Sequence, residues 1–430
     1  MMLNDNSLVY DNNNKKYIVN KLLGEGGQGE VYLVNCESKP FALKIYKKKP
    51  SDEFIYNLKN NIKKGQPNSN FLWPIAYVEI DKNTVGYIMN VRTENFESFV
   101  KYLNGKVAFK NTYTLLNWCI NICISFKKLH EMGYSYQDLN DGSFFLDTET
   151  GDALICDNDN VTADKNNLGI LGKMRYMAPE IVRRENLPDI HSDRFSLAII
   201  LFLALCKGNP FEGEMIKKYD FIDENAEYEL FGENPIFIFD NNNLSNRPIR
   251  GYHSNLLKYW PLLPSYIQEA FHKTFTNGLS DRENGRVTEI EWIKELTKFR
   301  NEIVSCSCGK QFYFGLEMQS NVCPYCGSRR PTRFAMIINK NIILLELGKF
   351  IYKTDLDKYS FEYDYKIGCI IPSKTNSNIW GIKLNLDHNI QVKDSYGNLR
   401  TINKDGVIPI IDNLEIKFDT NLIGIITKID

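Results

Sequence analysis

The sequence lacks an excess of charge of either sign. Its 430 residues include 52 basic and 53 acidic side chains, so the formal net charge is −1. This balance provides no bulk electrostatic attraction to nucleic acid or to an anionic membrane surface. Neither a nucleic acid nor a membrane is therefore expected as a partner, and no internal repeat indicates a solenoid.

Long hydrophobic runs are also missing. The most apolar segment, 197–206, has about half the length of a membrane-spanning helix and is typical of a buried core helix. The first sixteen residues are polar and lack the apolar centre of a signal peptide. We therefore expect a soluble, cytoplasmic chain.

The composition is that of a folded, multidomain protein. Apolar residues make up 43% and charged residues 24% of the chain, which excludes a disordered or fibrous protein. The length suggests about three domains. Hydrophobic periodicity predicts strands within 17–23, 31–34, 41–46, 71–91, 144–146 and 153–156, helices over 51–64 and 112–130, mostly helix over 190–300, and an all-β module over 334–430.

A glycine motif lies between the first two predicted strands. Gly24, Gly26 and Gly29 form G-x-G-x-x-G, and Val31 follows them. Alone, this pattern is typical of a tight hairpin turn. Lys44 follows fifteen residues after the last glycine in Phe-Ala-Leu-Lys, close to the V-A-I-K strand motif. A dinucleotide site would need a helix after the glycines, whereas a strand is predicted here. Backbone amides of such a hairpin can approach phosphate oxygens because no Cβ intervenes.

Further motifs follow in order. Asp138 lies in Tyr-Gln-Asp-Leu-Asn-Asp-Gly, and Asp157 lies in Cys-Asp-Asn-Asp-Asn-Val. Glu180 ends Met-Ala-Pro-Glu, and Asp193 begins Asp-Arg-Phe-Ser. Arg286 stands in Gly-Arg-Val-Thr.

On these motifs the chain resembles the protein-kinase superfamily over about residues 15–300. The resemblance implies that Arg286 pairs with Glu180, the glutamate of Ala-Pro-Glu. The segments YQDLNDG and CDNDNV, with FLWP upstream, are similar to those of a bacterial branch of eukaryotic-like serine/threonine kinases. The resemblance implies a bilobal multidomain α+β fold, with an N-lobe over 1–92 and a C-lobe over 93–300. Members of that branch are often found beside a PP2C-type phosphatase and a von Willebrand A-domain protein. Both would be partners, in addition to a protein substrate.

The resemblance also implies ATP and Mg²⁺ as cofactors, with a role for each motif. Lys44 would hold the α- and β-phosphates, Asp157 would carry Mg²⁺, and Asp138 would orient the attacking hydroxyl and accept its proton. The nucleotide would be enclosed by the three glycines, Val31, Ala42, Met89, Asn90 and Ser143.

Several positions depart from the family pattern. Ser143 replaces the catalytic-loop asparagine that helps to bind a second metal, and it could ligate Mg²⁺ through water. Asn158-Asp159 replaces Phe-Gly. Asp159 is either an additional Mg²⁺ ligand or a solvated, turn-capping carboxylate.

The segment 157–180 departs as well. Gln137 replaces the arginine that grips a phosphorylated loop, which is the pattern of a non-RD kinase. Thr162 is the only serine or threonine in this segment. Activation by loop phosphorylation is therefore not expected.

One lysine is missing from the catalytic loop and another is gained opposite it. Asn140 replaces the lysine that neutralises the γ-phosphate, and Lys173 stands where a threonine is usual. Lys173 either supplies the lost charge from the other side of the pocket, as a catalytic residue, or is an exposed loop lysine.

The resemblance also implies an ion pair between Lys44 and a glutamate of the helix that follows its strand. The acidic residues of the predicted helix 51–64 are Asp52 and Glu53, both in its first turn, where the helix dipole favours them. Glu53 is the candidate partner. These losses support a pseudokinase scaffold as the alternative function. Retention of Lys44, Asp138 and Asp157 favours an active serine/threonine kinase.

Four of the ten cysteines are clustered. Cys306, Cys308, Cys323 and Cys326 form C-x-C-x14-C-x2-C, and a glycine follows each pair. In a cytosolic chain this spacing indicates a closed, structural Zn²⁺ site in a ribbon over 301–333, rather than disulfides or reduced free thiols.

The remaining segment, 334–430, resembles a forkhead-associated β-sandwich. The phosphothreonine motifs of such domains are missing, because Gly368 is followed by Cys369 and His388 has no matching serine. We expect a docking module whose phosphate site is lost.

Overall fold

The computed structural model describes residues 3–170, 172–314, 322–329, 333–339, 341–357, 362, 365–376, 379–419 and 422–429. The chain divides into two compact units. Unit 1 comprises Met1–Lys110, Asn117–Pro261 and Gln268–Trp292, and unit 2 comprises Asn111–Leu116, Leu262–Ile267 and Ile293–Asp430. The ribbon cysteines and the β module belong to the same unit.

Unit 1 begins with an antiparallel six-stranded sheet in the order β1-β2-β3-β4-β6-β5. Its strands are β1 Leu8–Tyr10, β2 Lys16–Glu25, β3 Gly29–Cys36, β4 Lys39–Tyr46, β5 Ala76–Glu79 and β6 Val85–Asn90. Helix α1, Asp52–Lys64, follows β4. The Ser51 side chain caps α1 by accepting a hydrogen bond from the Phe54 amide, and Gly65 ends it with a φ of 82°. The predicted strand–turn–strand–strand–helix order is confirmed.

The rest of the chain up to residue 301 is mainly helical. It contains short strands β7 Phe96–Ser98, β8 Tyr134–Ser135, β9 Phe144–Asp147, β10 Ala153–Ile155 and β11 Thr162–Ala163. The helices are α2 Phe99–Leu103, α3 Thr112–Glu131, α4 Pro179–Val182, α5 Ile190–Cys206, α6 Glu224–Tyr228, α7 Ser254–Tyr259, α8 Ser265–His272, α9 Gly278–Ser280 and α10 Glu289–Asn301. Strands β7, β9 and β10 form one sheet, and β8 pairs with β11.

Helix α5 is the buried core helix expected from its composition. Every residue from Phe195 to Cys206 is buried, and Asp189 caps the helix by accepting from the Ser192 amide. The segment 207–253 is less helical than predicted, since short helical turns alternate there with irregular chain. Its many Gly, Asn and Pro residues explain the difference.

Unit 2 contains the hairpin of β12 Ile303–Ser305 and β13 Gln311–Tyr313, and two larger antiparallel sheets. One sheet has the order β15-β14-β23-β22-β19-β20 and the other β16-β17-β18-β21. The strands are β14 Arg333–Ile338, β15 Asn341–Leu344, β16 Phe350–Tyr352, β17 Lys366–Pro372, β18 Trp380–Leu384, β19 Ile390–Lys393, β20 Leu399–Ile402, β21 Val407–Pro409, β22 Leu414–Asp419 and β23 Leu422–Ile429, with a short helix α11 at Lys353–Leu356.

The two larger sheets share one hydrophobic core. Ile338, Ile416 and Ile426 of the six-stranded sheet cluster with Ile370 and Ile382 of the four-stranded sheet. The expected all-β character of 334–430 is confirmed. Among the described residues, none of the helices combines the length and apolarity needed to cross a bilayer.

Candidate active site

The glycine motif forms the turn between β2 and β3. A Cβ on Gly29 would lie 2.4 Å from the carbonyl oxygen of Ile45, so only glycine allows this packing against β4. In contrast, a Cβ on Gly24 would meet no atom within 4 Å. The third glycine therefore seats the hairpin on the sheet, and the first leaves its backbone open to a ligand.

Lys44 lies on β4 with its side chain almost completely buried. Its Nζ is 2.8 Å from Oδ2 and 3.1 Å from Oδ1 of Asp159, and 3.6 Å from Oδ1 of Asp157. Burial alone would lower the pKa of Lys44, but Asp159 and then Asp157 outweigh it and raise that pKa. The lysine is thus charged and held towards segment 157–159.

Asp159 is fully buried, which corrects the expectation of a solvated or Mg²⁺-binding carboxylate. Besides Lys44, it accepts hydrogen bonds from the hydroxyls of Tyr46 at 2.7 Å and Tyr87 at 3.1 Å. Burial opposes its negative charge, but Lys44 and Tyr46 keep the pKa of the carboxyl below its ordinary value. Because both oxygens are engaged, the geometry leaves no lone pair directed at a metal.

Helix α1 does not supply the carboxylate for Lys44. Glu53, the candidate from the sequence, is exposed on the first turn. The next residue, Phe54, packs its ring edge-on against Tyr46 at a centroid distance of 5.7 Å. The expected Glu53–Lys44 pair is therefore replaced by the Asp159–Lys44 pair.

The catalytic loop orients Asp138 through Asn140. The Asn140 Nδ2 donates to Oδ1 of Asp138 at 3.0 Å, and its Oδ1 accepts from Lys173 Nζ at 3.0 Å. Lys173 also lies 3.2 Å from Oδ1 of Asp141. Burial raises the pKa of Asp138, and Asn140 and Lys173 oppose this rise. Lys173 thus contacts the catalytic loop directly at Asn140 and Asp141.

The loop that contains Gly172 and Lys173 lies close to Asp138. Gly172 has a φ of +87°, and a Cβ there would lie 3.2 Å from Oδ1 of Asp138. A larger residue at this position would strain the backbone and crowd the carboxylate. Gly172 therefore brings Lys173 close to Asp138.

Ser143 and Asp157 differ in their availability to a metal. The Ser143 hydroxyl donates to the Asp138 carbonyl at 3.3 Å and accepts from the Asn140 amide, and the residue is buried. Asp157 sits in the left-handed region with a φ of 56°, and its side chain is 53% exposed. Asp157 can therefore ligate Mg²⁺, whereas Ser143 is engaged within the loop, which argues against its expected metal role.

The segment after Asp157 is held by amides and hydroxyls. The Gln137 Nε2 donates to the Thr162 hydroxyl, to the Asn166 carbonyl, and to the Ser135 hydroxyl at 3.2 Å. Thr162 has no exposed surface. Gln137 thus holds the segment 162–166 through neutral hydrogen bonds, which its position in the sequence did not reveal.

Two buried ionic groups support these loops. Arg286 donates to both carboxylate oxygens of Glu180 at 2.8 and 2.7 Å, which confirms the predicted pair. Asp193 accepts from the backbone amides of Tyr136 at 2.6 Å and Gln137 at 3.0 Å, and thereby fixes the start of the catalytic loop.

His130 completes the second group and was not predicted from the sequence. Its ring lies between Asp193 at 3.1 Å and Glu289 at 2.9 Å. Burial opposes its positive charge, but the hydrogen bonds to both carboxylates raise its pKa to about 9. No local signal singles out this histidine, because its partners are 63 and 159 residues away in the chain.

Apolar side chains surround the expected adenine position. Ala42 and Met89 are buried in a cluster onto which partly buried side chains pack, among them Val31, Phe145 and Leu154. Asn90 ends β6 and is exposed. Phe145 and Leu154 were not predicted, although alternation along β9 and β10 would have indicated them.

The four clustered cysteines converge as the spacing predicted. Their sulfur atoms all lie within 4.8 Å of one another. The Cys306–Cys326 sulfurs are 3.6 Å apart and the Cys308–Cys323 sulfurs 3.9 Å. Tetrahedral Zn²⁺ with bonds of about 2.3 Å places its sulfur ligands about 3.8 Å apart, so this donor set fits the ion. Gly309 and Gly327 both adopt positive φ, as turns after ligand pairs require.

Comparison with known proteins agrees with this geometry. The protein kinase domain family matches residues 17–275, more than half of the chain. The chain therefore belongs to the protein kinase family.

Individual relatives are distant. Ribosomal protein S6 kinase alpha-6 of Danio rerio is 26% identical over 206 residues, which cover 45% of this chain and 27% of that protein. Protein kinase YegI of Escherichia coli (strain K12) is 25% identical over 219 residues, covering 48% of this chain and 31% of YegI. The chain spans less than a third of the length of either relative.

Proposed function

We propose that this protein is an ATP- and Mg²⁺-dependent serine/threonine kinase that does not require loop phosphorylation. The observation that carries the proposal is the clustering of three side chains: Lys44 Nζ lies 3.6 Å from Asp157, and Asp138 is near enough to both for their charges to shift its pKa. Lys173 binds Asn140 beside Asp138. The family supports protein phosphorylation in general.

Each residue then has a chemical role. Lys44 positions the ATP phosphates, and Asp157 binds Mg²⁺, which neutralises phosphate charge when bound. Asp138 accepts the proton as the substrate hydroxyl attacks the γ-phosphorus and the bond to ADP breaks. Asn140 keeps the Asp138 carboxylate in its rotamer, and Lys173 supplies positive charge near the transferred group.

A nucleotide-binding scaffold without catalysis is the second candidate. It is favoured by the engagement of Ser143 and Asp159 in protein hydrogen bonds, which leaves Asp157 as the carboxylate suited to Mg²⁺. Single-turnover transfer from labelled ATP to a mixture of protein substrates separates the two. Transfer that Asp138→Asn and Lys44→Met each abolish supports the kinase, and its absence from the wild-type chain supports the scaffold.

We propose that Cys306, Cys308, Cys323 and Cys326 hold a structural Zn²⁺. The sandwich over 334–430 is proposed to be a docking module of forkhead-associated type, and His388 is exposed there. A PP2C-type phosphatase and a von Willebrand A-domain protein are proposed partners, and the cytoplasm is the proposed location. Co-purification of either partner with the full chain, but not with a chain ending at residue 300, would support this docking role.

A further inference from the structure

The catalytic lysine of this kinase is anchored from an unusual direction. An active protein kinase pairs this lysine with a glutamate of the helix that follows its strand, and movement of that helix controls the pair. Here the paired carboxylate, Asp159, lies 115 residues away from Lys44, two positions after the proposed Mg²⁺ ligand.

The strands supply the rest of the anchor. Lys44 on β4 is the register partner of Tyr87 on β6, and Tyr46 lies two residues further along the same face of β4. The lysine Nζ is 5.5 Å from the Tyr46 ring centroid and 5.8 Å from that of Tyr87. Both phenols donate to the Asp159 carboxylate, so one buried acid organises three side chains.

Helix α1 contacts the same segment by other means. Asn57 and Asn61 each donate to the Val161 carbonyl at 2.8 Å, and Phe54 packs on Tyr46. These contacts are amide and aromatic. They bind the helix to segment 157–161 without a charge directed at Lys44.

We infer that Asp159, supported by Tyr46 and Tyr87, is the positioning residue for Lys44 and replaces the helix glutamate. The inference rests on the proposed function, because it assigns Lys44 to the ATP phosphates. The position of Lys44 is therefore coupled directly to the segment 157–161, and to α1 only through the contacts of α1 with that segment and with Tyr46.

The test removes the charge and then restores it from the helix. Asp159→Asn in the full chain lowers kcat at least tenfold and weakens MgATP binding, with an unchanged KM for the protein substrate. Phe54 and the Lys44 ammonium both border the Tyr46 ring, so Phe54→Glu combined with Asp159→Asn places a carboxylate beside the ring that Lys44 also contacts. It raises kcat at least threefold above the matched neutral pair, Phe54→Gln with Asp159→Asn.

Control variants separate the effect of Asp159 from the loss of a neighbouring charge and from misfolding. Glu53→Gln, which removes the exposed neighbouring carboxylate, has wild-type kinetics. If Asp159→Asn fails to fold by thermal melting, the double variant Tyr46→Phe/Tyr87→Phe replaces it and lowers kcat at least threefold. Wild-type kinetics in Asp159→Asn, or in Tyr46→Phe/Tyr87→Phe where Asp159→Asn does not fold, would overturn the inference. Equal rates in the Glu and Gln rescue pairs would overturn it as well.

The failure of the proposed function gives a different pattern. In that case the wild-type chain transfers no phosphate. Calorimetric titration with MgATP still decides the role of Asp159: affinity that falls in Asp159→Asn and recovers with Phe54→Glu, but not with Phe54→Gln, supports it, and unchanged affinity contradicts it.

Discussion

Replacing Lys173 by alanine tests whether this cation takes over the role of the lysine that is missing at position 140. An ammonium about 4 Å from a developing charge contributes about 4 kcal/mol at an effective dielectric constant of about 20. The Lys173 side chain is 57% exposed, so solvent screening reduces this to about 2–3 kcal/mol. Each 1.4 kcal/mol is about a factor of ten, so kcat falls about 30- to 150-fold.

The assay is steady-state transfer at saturating MgATP, with the affinity for ATP measured separately. Lys173→Ala lowers kcat and changes ATP affinity much less, because the charge grows during transfer. Lys173→Arg retains most of the rate, and Asn140→Lys added to Lys173→Ala restores part of it. Wild-type kcat in Lys173→Ala would refute the reasoning and leave the γ-phosphate to the metal alone.

Three further predictions concern the cysteine cluster, the buried Arg286–Glu180 pair and the buried His130. Freshly purified protein contains one zinc per chain by elemental analysis, and Cys306→Ser loses both the metal and the local fold, since binding and folding are coupled by roughly 10 kcal/mol. Arg286→Met lowers the free energy of unfolding by about 3–5 kcal/mol in urea titration, and adding Glu180→Gln recovers part of the loss because no buried charge is then unpaired. The folded-state pKa of His130 is raised, so its stabilisation is complete below about pH 6.5 and is lost as the pH rises through about 9. His130→Asn removes this pH dependence, and an unaltered stability profile in that variant would contradict the assignment.

Local patterns predicted much of the fold and part of the site. Helix α1 begins after its Ser51 cap, the hairpin glycines lie at the β2–β3 turn, and the Arg286–Glu180 pair forms as expected. These features depend on short-range preferences or on motif order, both of which can be read directly from the sequence. The convergence of the four cysteines follows in the same way from ligand spacing.

The Lys44 anchor could not be predicted in the same way. Asp159 lies two residues after Asp157, the proposed Mg²⁺ ligand. From the sequence it is therefore interpreted as another metal ligand unless the strands that bury it are known. Tyr46 and Tyr87 come from two strands, and only their register places both hydroxyls on Asp159. At Asn140 the sequence indicates only the loss of a positive charge. In the structure, the side-chain amide of Asn140 bridges Lys173 and Asp138.

The contact between Gln137 and Thr162 has a consequence for how long a signal lasts. A kinase that is activated by phosphorylation of its own loop stays active until a phosphatase removes the phosphate. Thr162 is fully enclosed, and its hydroxyl is already engaged by Gln137. Under the proposed function, Thr162 therefore carries no lasting mark of an earlier activation, and the rate of phosphoryl transfer follows the present concentrations of nucleotide and substrate.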